Sequence, residues 1–148
     1  MQVKEIMTPD PACCSAQDTL QKAAQLMVEC DCGEIPVVDD TASKKIVGVI
    51  TDRDITCRAV ARGMNPLEMK ISDIMSTPVT TVNAEDSLED ACYLMEQNQI
   101  RRIPVVDASG ACIGIVSLAD IAQKAPRADS GEVLHDVSER SFSASNIT

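Results

Sequence analysis

Residues 48–55 read Gly-Val-Ile-Thr-Asp-Arg-Asp-Ile, and residues 114–121 read Gly-Ile-Val-Ser-Leu-Ala-Asp-Ile. Each stretch ends an apolar run with a hydroxyl residue and places an aspartate three positions later, Thr51 and Asp54 in the first stretch. A hydroxyl followed three residues on by a carboxylate can cap the first turn of a helix. The two stretches therefore predict two copies of one strand-to-helix transition.

The sequence on either side of these stretches is repeated as well. At a shift of 68 residues, Ile6-Met7 aligns with Ile74-Met75, and residues 35–39 and 103–107 both read Ile-Pro-Val-Val-Asp. The first copy carries two additional residues in the polar turn 40–45, after which the shift is 66. Exposed turns are where insertions are tolerated. The chain is an internal duplication, and this decides how the rest is interpreted.

Both copies predict the order β-α-β-β-α, so the fold class is α/β. A unit of about 60 residues buries only ~60% of the surface of its unfolded chain, so we expect the two copies to pack against each other. The predicted domains are repeat 1 at residues 1–62, a connector at 63–70, repeat 2 at 71–125, and a tail at 126–148 with a short helix at 130–139.

The elements of each copy follow from hydrophobic spacing and cap signals. Strand-like pieces are predicted at Ala12–Cys14 and Val79–Val82, and helix N-caps within residues 15–18 and 83–86. Amphipathic helices are predicted from apolar residues spaced i, i+3, i+4, i+7 (Leu20, Ala23, Ala24 and Met27; Leu88, Ala91, Cys92 and Met95). Two strands then follow in each copy, at 35–38 and 46–50 and at 103–106 and 112–116.

Composition excludes several classes of function. The 148-residue chain has a formal net charge of −10, which disfavours nucleic acid and anionic membranes as partners. It has one Tyr, one Phe and no Trp, so stacking platforms for bases are lacking. No apolar run reaches membrane-spanning length, and no signal peptide is recognised. Seven cysteines without a disulfide-framework spacing favour a cytoplasmic protein.

The duplicated unit resembles a tandem pair of cystathionine β-synthase (CBS) domains, a Bateman module of the stand-alone bacterial type. The motifs that carry the resemblance are Ile-Met-Thr/Ser at the start of each copy, Ile-Pro-Val-Val-Asp at the second strand, and the Thr/Ser-x-x-Asp string at the end. The resemblance covers residues 1–125. It implies two repeats packed face to face with pseudo-two-fold symmetry, a homodimer, and a regulatory module that binds adenosine-containing ligands in the cleft between the repeats.

The resemblance also implies where such a ligand is held. The Asp of one repeat faces the opening strand and the pre-Pro segment of the other. Chemically, a carboxylate accepts hydrogen bonds from ribose hydroxyls, and a hydroxyl at a helix N-terminus binds phosphate oxygens. The main nucleotide site is predicted to contain Thr51, Arg53, Asp54, Pro78, Val79, Thr80, Arg101, Arg102, Ile103 and Pro104.

The second site is predicted to be weaker, to be empty, or to take an uncharged adenosyl group. Its acidic neighbours are Glu34 and Asp31, and Ala119 stands where the first copy has Arg53. A phosphate at the second site would therefore meet like charge, whereas three arginines can neutralise it at the first. The predicted second site contains Ser117, Asp120, Pro11, Ala12, Glu34, Ile35 and Pro36.

Two further features have less specific interpretations. Cys13, Cys14, Cys30 and Cys32 could supply metal thiolates or a redox switch, but their spacing is unlike that of structural zinc sites, so no metal site is predicted. Cys92 and Cys112 are interpreted as small buried hydrophobes.

His135 lies in the tail, and no catalytic motif or phosphate loop accompanies it, so we expect no enzyme activity.

The function expected from the sequence is regulation through binding of AMP, ADP or ATP, with NAD or S-adenosylmethionine as further candidate ligands and no required cofactor. Occupancy would act through conformation or through an effector protein whose identity the sequence does not specify. The alternative is a ligand-independent dimerisation or interaction module, in which Thr51 and Asp54 only cap a helix.

Overall fold

The computed structural model describes residues 1–125. The predicted helix at 130–139 and His135 lie outside the described residues. The described part of the chain contains seven strands and four α-helices in an α/β arrangement, as predicted. In chain order these are β1 (Thr8–Pro9), β2 (Cys14–Ser15), α1 (Leu20–Cys30), β3 (Glu34–Val38), β4 (Ile46–Thr51), α2 (Asp52–Arg58), β5 (Val82–Asn83), α3 (Leu88–Asn98), β6 (Arg102–Val106), β7 (Cys112–Ser117) and α4 (Leu118–Lys124). Short 3-10 helices occur at Val3–Glu5, Val60–Arg62, Pro66–Glu68 and Ile71–Asp73.

The described strands form two sheets that carry the two copies of the repeat. One sheet has the order β2-β3-β4, and the other the order β1-β7-β6-β5. In each, a short strand pairs in parallel with the Ile-Pro-Val-Val strand, as in β2 with β3 and β5 with β6. The β3 and β4 strands are antiparallel, with Glu34 opposite Thr51 and Ile35 opposite Ile50. The predicted β-α-β-β-α order is confirmed in both copies.

The chain divides into two compact units whose bounds differ from those of the sequence repeats. Within residues 1–125, the first unit comprises residues 10–79 and 108–112, and the second unit comprises residues 1–9, 80–107 and 113–125. Each unit therefore contains the segment that opens the other copy. In the second unit, Val3 and Ile6 are buried in the cluster around Leu88 and Met95. In the first, Ile71 and Ile74 are buried in the cluster around Leu20 and Ile35.

Backbone hydrogen bonds attach these exchanged opening segments. Val3 N donates to Asp86 O at 2.9 Å, and Lys4 N donates to Ala84 O at 3.0 Å. The corresponding bonds in the first unit run from Ile71 N to Asp18 O at 2.9 Å and from Ser72 N to Ala16 O at 2.9 Å. The register is the same in both units, at the shift of 68 residues that defines the duplication.

The predicted N-caps of the two long helices were misplaced by a few residues. Thr19 and Ser87 cap α1 and α3, each accepting a hydrogen bond from the backbone N–H three residues on. The predicted cap segments are turns instead, in which the Asp18 carboxylate accepts from Ser15 N at 2.8 Å. An aspartate that closes an Asx-type turn resembles a cap in sequence, and this explains the error. The short strands β2 and β5 likewise lie slightly later than predicted.

The apolar stripes of the helices are confirmed. Leu20, Ala23 and Met27 of α1 are buried, as are the matching residues of α3 (Leu88, Ala91, Cys92 and Met95). With so few aromatic residues, both clusters are filled by Ile, Val, Leu and Met. At ~25 cal/mol per Å² of buried apolar surface, these aliphatic contacts are the main stabilising term of each unit.

Candidate functional site

Asp54 lies in the first turn of α2 and is buried, with 8% exposure. Its Oδ2 accepts a hydrogen bond from Thr51 N at 3.1 Å, and Thr51 Oγ1 accepts one from Asp54 N at 3.0 Å, so the pair forms a capping box. Ser76 Oγ donates to both carboxylate oxygens at 3.1 Å. Arg58 Nε lies 3.7 Å from Oδ1, one helical turn along α2.

Asp120 has the same surroundings at the start of α4 and is 9% exposed. Ser117 N donates to its Oδ2 at 3.0 Å, and Ser117 Oγ accepts from Asp120 N at 3.1 Å. Thr8 Oγ1 donates to the carboxylate at 3.3 and 3.5 Å, and Lys124 Nζ lies 3.7 Å from Oδ1. Each unit therefore holds one buried aspartate between a helix cap, a hydroxyl of an opening segment and a cation.

Sequence reasoning missed the hydroxyls and cations of this arrangement. Ser76 and Thr8 align at the shift of 68, and Arg58 and Lys124 align at the shift of 66. The signal was present, because side-chain chemistry is retained at both pairs of positions. The resemblance placed the opening strand of the other copy beside each aspartate, but the predicted sites took residues 78–80 and 11–12 of those segments and not Ser76 and Thr8.

The cations also hold the opening segments in place. Arg58 donates to the carbonyls of Ile74 and Met75 at 3.0 and 3.3 Å, and Lys124 Nζ donates to Ile6 O at 3.1 Å. Buried carboxylates are stable when they are paired and hydrogen-bonded. The aspartate, its cation and the opening segment therefore form one connected polar network in each unit.

The Asp54 carboxylate retains acceptor capacity beyond this network. A carboxylate has about four acceptor positions. Thr51 N and Ser76 Oγ are the hydrogen-bond donors to Asp54 within residues 1–125, and Arg58 adds an ion pair at 3.7 Å. The carboxylate therefore has acceptor positions beyond those used by its protein donors.

The remaining residues of the predicted main site are distributed over both units. Pro78 and Val79 belong to the first unit with Thr51 and Asp54, and Thr80 belongs to the second. Arg53 is exposed in the first turn of α2. Residues 101–104 lie at the start of β6 in the second unit, where Arg101 O accepts a hydrogen bond from Leu118 N at 3.0 Å.

The predicted second-site residues are likewise divided. Ser117 and Asp120 are in the second unit, whereas Pro11, Ala12 and residues 34–36 are in the first. Glu34 lies opposite Thr51 in the antiparallel pair of β3 and β4, and Asp52 N donates to Gly33 O at 2.9 Å. Within each unit, the pre-Pro segment thus lies beside the helix N-terminus of its own copy. The pairing of Thr51 with Arg101, and of Ser117 with Glu34, is a prediction from the resemblance.

The cysteines of the first copy occupy separate environments. Cys14 is buried, Cys13 and Cys32 are half-buried, and Cys30 is exposed. Burial raises the pKa of the Cys14 thiol to about 12, with the Asp18 carboxylate contributing. Across residues 1–125, no group of three or more His, Cys, Asp or Glu side chains is arranged to hold a metal ion.

The model of the CBS domain family matches residues 3–59 and 71–127, which are the two copies of the duplication. The chain belongs to the CBS domain family. It is 40% identical over 141 residues to the CBS domain-containing protein YhcV of Bacillus subtilis, covering 95% of this chain and 97% of YhcV. The predicted identity as a tandem CBS pair is thereby confirmed.

Solved structures of CBS proteins are similar to this chain over most of its length. The crystal structure of Hypoxic Response Protein I with two coordinated zinc ions is 32% identical, with a TM-score of 0.77, and the match covers 85% of this chain and all of that one. CBSX2 in complex with AMP is 28% identical with a TM-score of 0.71, over 84% and 95% of the two chains. The CBS domain pair of MJ0100 in complex with 5-methylthioadenosine and S-adenosyl-L-methionine is 28% identical with a TM-score of 0.73, over 83% and 98%.

No helix within residues 1–125 combines the length and the apolar character that a transmembrane span requires.

Proposed function

We propose that this protein is a regulatory module, not an enzyme, and that it binds an adenosine-containing ligand. The observation that carries the proposal is the repeated buried aspartate at a helix N-terminus, which has hydroxyl neighbours and spare acceptor capacity. Structures of related CBS proteins with AMP, and with 5-methylthioadenosine and S-adenosyl-L-methionine, support the same ligand class. AMP, ADP and ATP are the ligands we favour, with NAD and S-adenosylmethionine as further candidates.

The main site in this proposal is built on Thr51 and Asp54. Asp54 accepts the ribose hydroxyls, and the Thr51 hydroxyl with the amides of α2 faces the phosphate. Arg53, Arg101 and Arg102 neutralise the phosphate charge, as the family resemblance implies. Charge-assisted hydrogen bonds of this kind contribute ~1.5–3 kcal/mol each. The counterpart at Ser117 and Asp120, with Ala119 in place of Arg53, is the weaker site.

A ligand screen tests whether the protein binds such ligands at all. A compound that binds only the folded state raises the melting temperature, and the stabilisation grows with the logarithm of one plus its concentration divided by its Kd. We expect AMP, ADP or ATP at millimolar concentration to raise the melting temperature of the full-length chain, with guanosine and cytidine monophosphates as controls. No shift from any adenosine compound would contradict the proposal.

Calorimetry on matched variants tests which aspartate is used. We expect Asp54→Asn to weaken nucleotide binding by roughly tenfold or more, because the lost bonds are to a charged group. Asp120→Asn should change it by less than about threefold. Asp52→Asn is the control, since it removes a carboxylate from the same helical turn without touching the proposed ribose contact. Equal losses from the Asp54 and Asp120 variants would contradict the asymmetry.

A double-mutant cycle tests the placement of the arginines. The phosphate that Arg101 and Arg102 contact is proposed to belong to the ligand held by Asp54, so their alanine substitutions should couple energetically to Asp54→Asn. Coupling to Asp120→Asn instead would assign the arginines to the helix N-terminus of their own unit. That outcome would leave nucleotide binding intact and reverse the order of the two sites.

A second candidate function is supported by the capping boxes. Thr51 and Asp54, like Ser117 and Asp120, already have structural partners, as expected of a ligand-independent dimerisation module. This candidate shares the proposed homodimer and effector protein but predicts that no adenosine compound changes stability or oligomeric state. Sedimentation velocity with and without millimolar AMP, run beside the ligand screen, separates the two functions: a dimer that neither changes nor gains stability supports the second candidate.

A further inference from the structure

Cys13 lines a cavity beside β2, and neither Cys13 nor Cys112 belongs to a predicted nucleotide site. We propose that Cys13 is an oxidisable thiol and that it forms a reversible disulfide with Cys112 when the protein meets hydrogen peroxide. The two residues lie 99 positions apart in the chain and belong to the same compact unit. The inference is independent of nucleotide binding.

The backbone places the two cysteines on neighbouring segments: Cys112 N donates to Lys44 O at 2.9 Å, and Lys44 lines the same cavity as Cys13. Cys13 immediately precedes β2, and Cys112 is the first residue of β7. Their side chains are hydrogen-bonded to each other, with the Cys112 thiol as donor to the Cys13 sulfur. The Cys13 thiol in turn donates to Pro11 O at 3.4 Å. A disulfide requires the two Cβ atoms to approach to about 3.5–4.5 Å, and this placement of the two segments is what the proposal relies on.

An oxidant can reach Cys13 but is shielded from Cys112. Cys13 is half-buried and lines a cavity of about 290 Å³. A water molecule occupies roughly 30 Å³ in the liquid, so a peroxide fits this space. Cys112 is 3% exposed. The two cysteines therefore have different roles: Cys13 reacts with the oxidant, and Cys112 then forms the disulfide with the oxidised Cys13. The cavity is lined by Asp10, Pro11, Ala12, Cys13, Val38, Thr41 and Lys44.

The charges around the cavity favour the reactive form of Cys13. The hydrogen bond from Cys112 and the ammonium of Lys44 lower the pKa of Cys13 below its ordinary value, although burial and the Asp10 carboxylate act in the opposite direction. Lys44 Nζ lies 3.3 Å from Asp10 Oδ1, which holds the ammonium at the cavity. The thiolate is the nucleophile in thiol oxidation, so a lowered pKa increases the reactive fraction at neutral pH.

The neighbouring thiol provides an internal contrast. Cys14 is 1% exposed, and burial raises its pKa to about 12. Its thiol donates to Pro36 O at 3.7 Å, and Cys14 belongs to the buried core cluster of the first unit. The two consecutive cysteines therefore differ in reactivity because one lines the cavity and the other is buried in the core. Oxidation should therefore discriminate between Cys13 and Cys14.

The proposed reaction has two balanced steps. The Cys13 thiolate attacks one oxygen of hydrogen peroxide, the O–O bond breaks, and the departing hydroxide takes up a proton as water, which leaves a sulfenic acid on Cys13. The Cys112 sulfur then attacks the Cys13 sulfur, the S–O bond breaks, and the Cys112 proton leaves with the hydroxide as a second water. Two thiols are oxidised and one peroxide is reduced. A dithiol reductant reverses the product.

The test is peptide mapping of the full-length protein after treatment with one equivalent of hydrogen peroxide. We expect a mass loss of about 2 Da, corresponding to two hydrogen atoms, that dithiothreitol reverses. Trypsin should release residues 5–22 linked to residues 103–124, a pair that contains Cys13, Cys14 and Cys112. Cys14→Ser should retain the link and Cys13→Ser should lose it. In Cys112→Ser, dimedone should label the sulfenic acid of Cys13.

Three results would overturn the proposal. These are the absence of the linked peptides, their persistence in Cys13→Ser, and a link that joins two molecules. Alkylation of the unsubstituted protein provides a measurement that does not depend on the folding of any variant. At neutral pH, iodoacetamide should modify Cys13 at least roughly tenfold faster than Cys14, since only the thiolate reacts. Equal rates would also overturn the proposal.

Discussion

At the scale of single residues, Ser76 and Thr8 each connect an opening segment to a buried aspartate. Ser76 Oγ lies 3.1 Å from both oxygens of Asp54, whereas Thr8 Oγ1 lies 3.3 and 3.5 Å from those of Asp120. Removing a donor from a buried carboxylate costs ~1–3 kcal/mol. We expect Ser76→Ala to lower the free energy of unfolding by ~1–3 kcal/mol and Thr8→Ala to lower it less, because Thr8 is exposed and its contacts are longer.

Chemical denaturation measures both changes. Ser72→Ala is the control, because Ser72 lies in the same opening segment as Ser76 and is exposed. A Ser76 variant as stable as the Ser72 variant would show that the hydroxyl does not stabilise Asp54.

Cys14 should make stability depend on alkaline pH. Its pKa is raised from 9.0 to about 12 in the folded state. As pH rises above 9, the unfolded chain releases the thiol proton while the folded chain keeps it, so stability falls across the window from pH 9 to pH 12. Cys14→Ala should be less stable at neutral pH, because a buried group is lost, but should show a shallower decline above pH 9.

Denaturant unfolding at several pH values between about 7 and 11 measures this slope. Cys57→Ala, which alters an exposed cysteine, should follow the unsubstituted protein. Equal slopes for all three proteins would show that the folded and unfolded states hold the Cys14 proton equally.

At the scale of elements, one glycine in each of β4 and β7 allows an opening segment to pair closely with the strand. A Cβ added at Gly48 would lie 2.9 Å from Met75 Sδ and 3.2 Å from Ser76 O, and one added at Gly114 would lie 2.5 Å from Met7 Sδ and 3.3 Å from Thr8 O. Val49 and Ser76 exchange backbone hydrogen bonds of 3.1 and 2.8 Å beside the first of these glycines. The strand can keep these bonds only where no side chain intervenes.

We therefore expect Gly48→Ala and Gly114→Ala each to lower the free energy of unfolding by ~1–3 kcal/mol through overpacking. The two changes should be similar, because the flexible methionines can move and the added Cβ would lie 3.2 and 3.3 Å from the backbone oxygens of Ser76 and Thr8. Val47→Ala is the matched control on the same strand as Gly48, since Val47 is exposed. Thermal or denaturant unfolding measures the effects, and glycine variants as stable as Val47→Ala would refute the explanation.

At the scale of the whole molecule, the unit of folding should follow the compact units and not the sequence repeats. Residues 1–62 contain the first sequence repeat but lack Ile71 and Ile74, which are buried in the core of the first unit. Residues 10–79 contain both. We expect the fragment 10–79 to melt cooperatively and the fragment 1–62 to lack a cooperative transition, because a unit of this size cannot lose part of its core. Circular dichroism against temperature measures both, and a cooperative transition in 1–62 alone would contradict the prediction.

Much of this organisation was predictable from local sequence. The β-α-β-β-α order, the apolar faces of α1 and α3, and the caps at Thr51 and Ser117 all follow from patterns within about ten residues. The start of α1 was not predicted correctly, because Asp18 and Thr19 both carry cap chemistry and only the folded backbone distinguishes a turn from a cap. Cys112 was correctly predicted to be buried, but its contact with Cys13 was not anticipated.

The sequence by itself determined that the protein is a duplicated CBS pair with one Thr/Ser-x-x-Asp cap per copy. Hydrophobic periodicity, turn chemistry and repetition are properties of the sequence itself, so they can be identified without knowing which distant residues are in contact. Only the tertiary structure decided that the opening segments are exchanged, that Ser76 and Thr8 reach the buried aspartates, and that Cys13 meets Cys112. Those contacts join residues 22, 112 and 99 positions apart. They are selected by which surfaces bury the most apolar area together, and no local pattern encodes that choice.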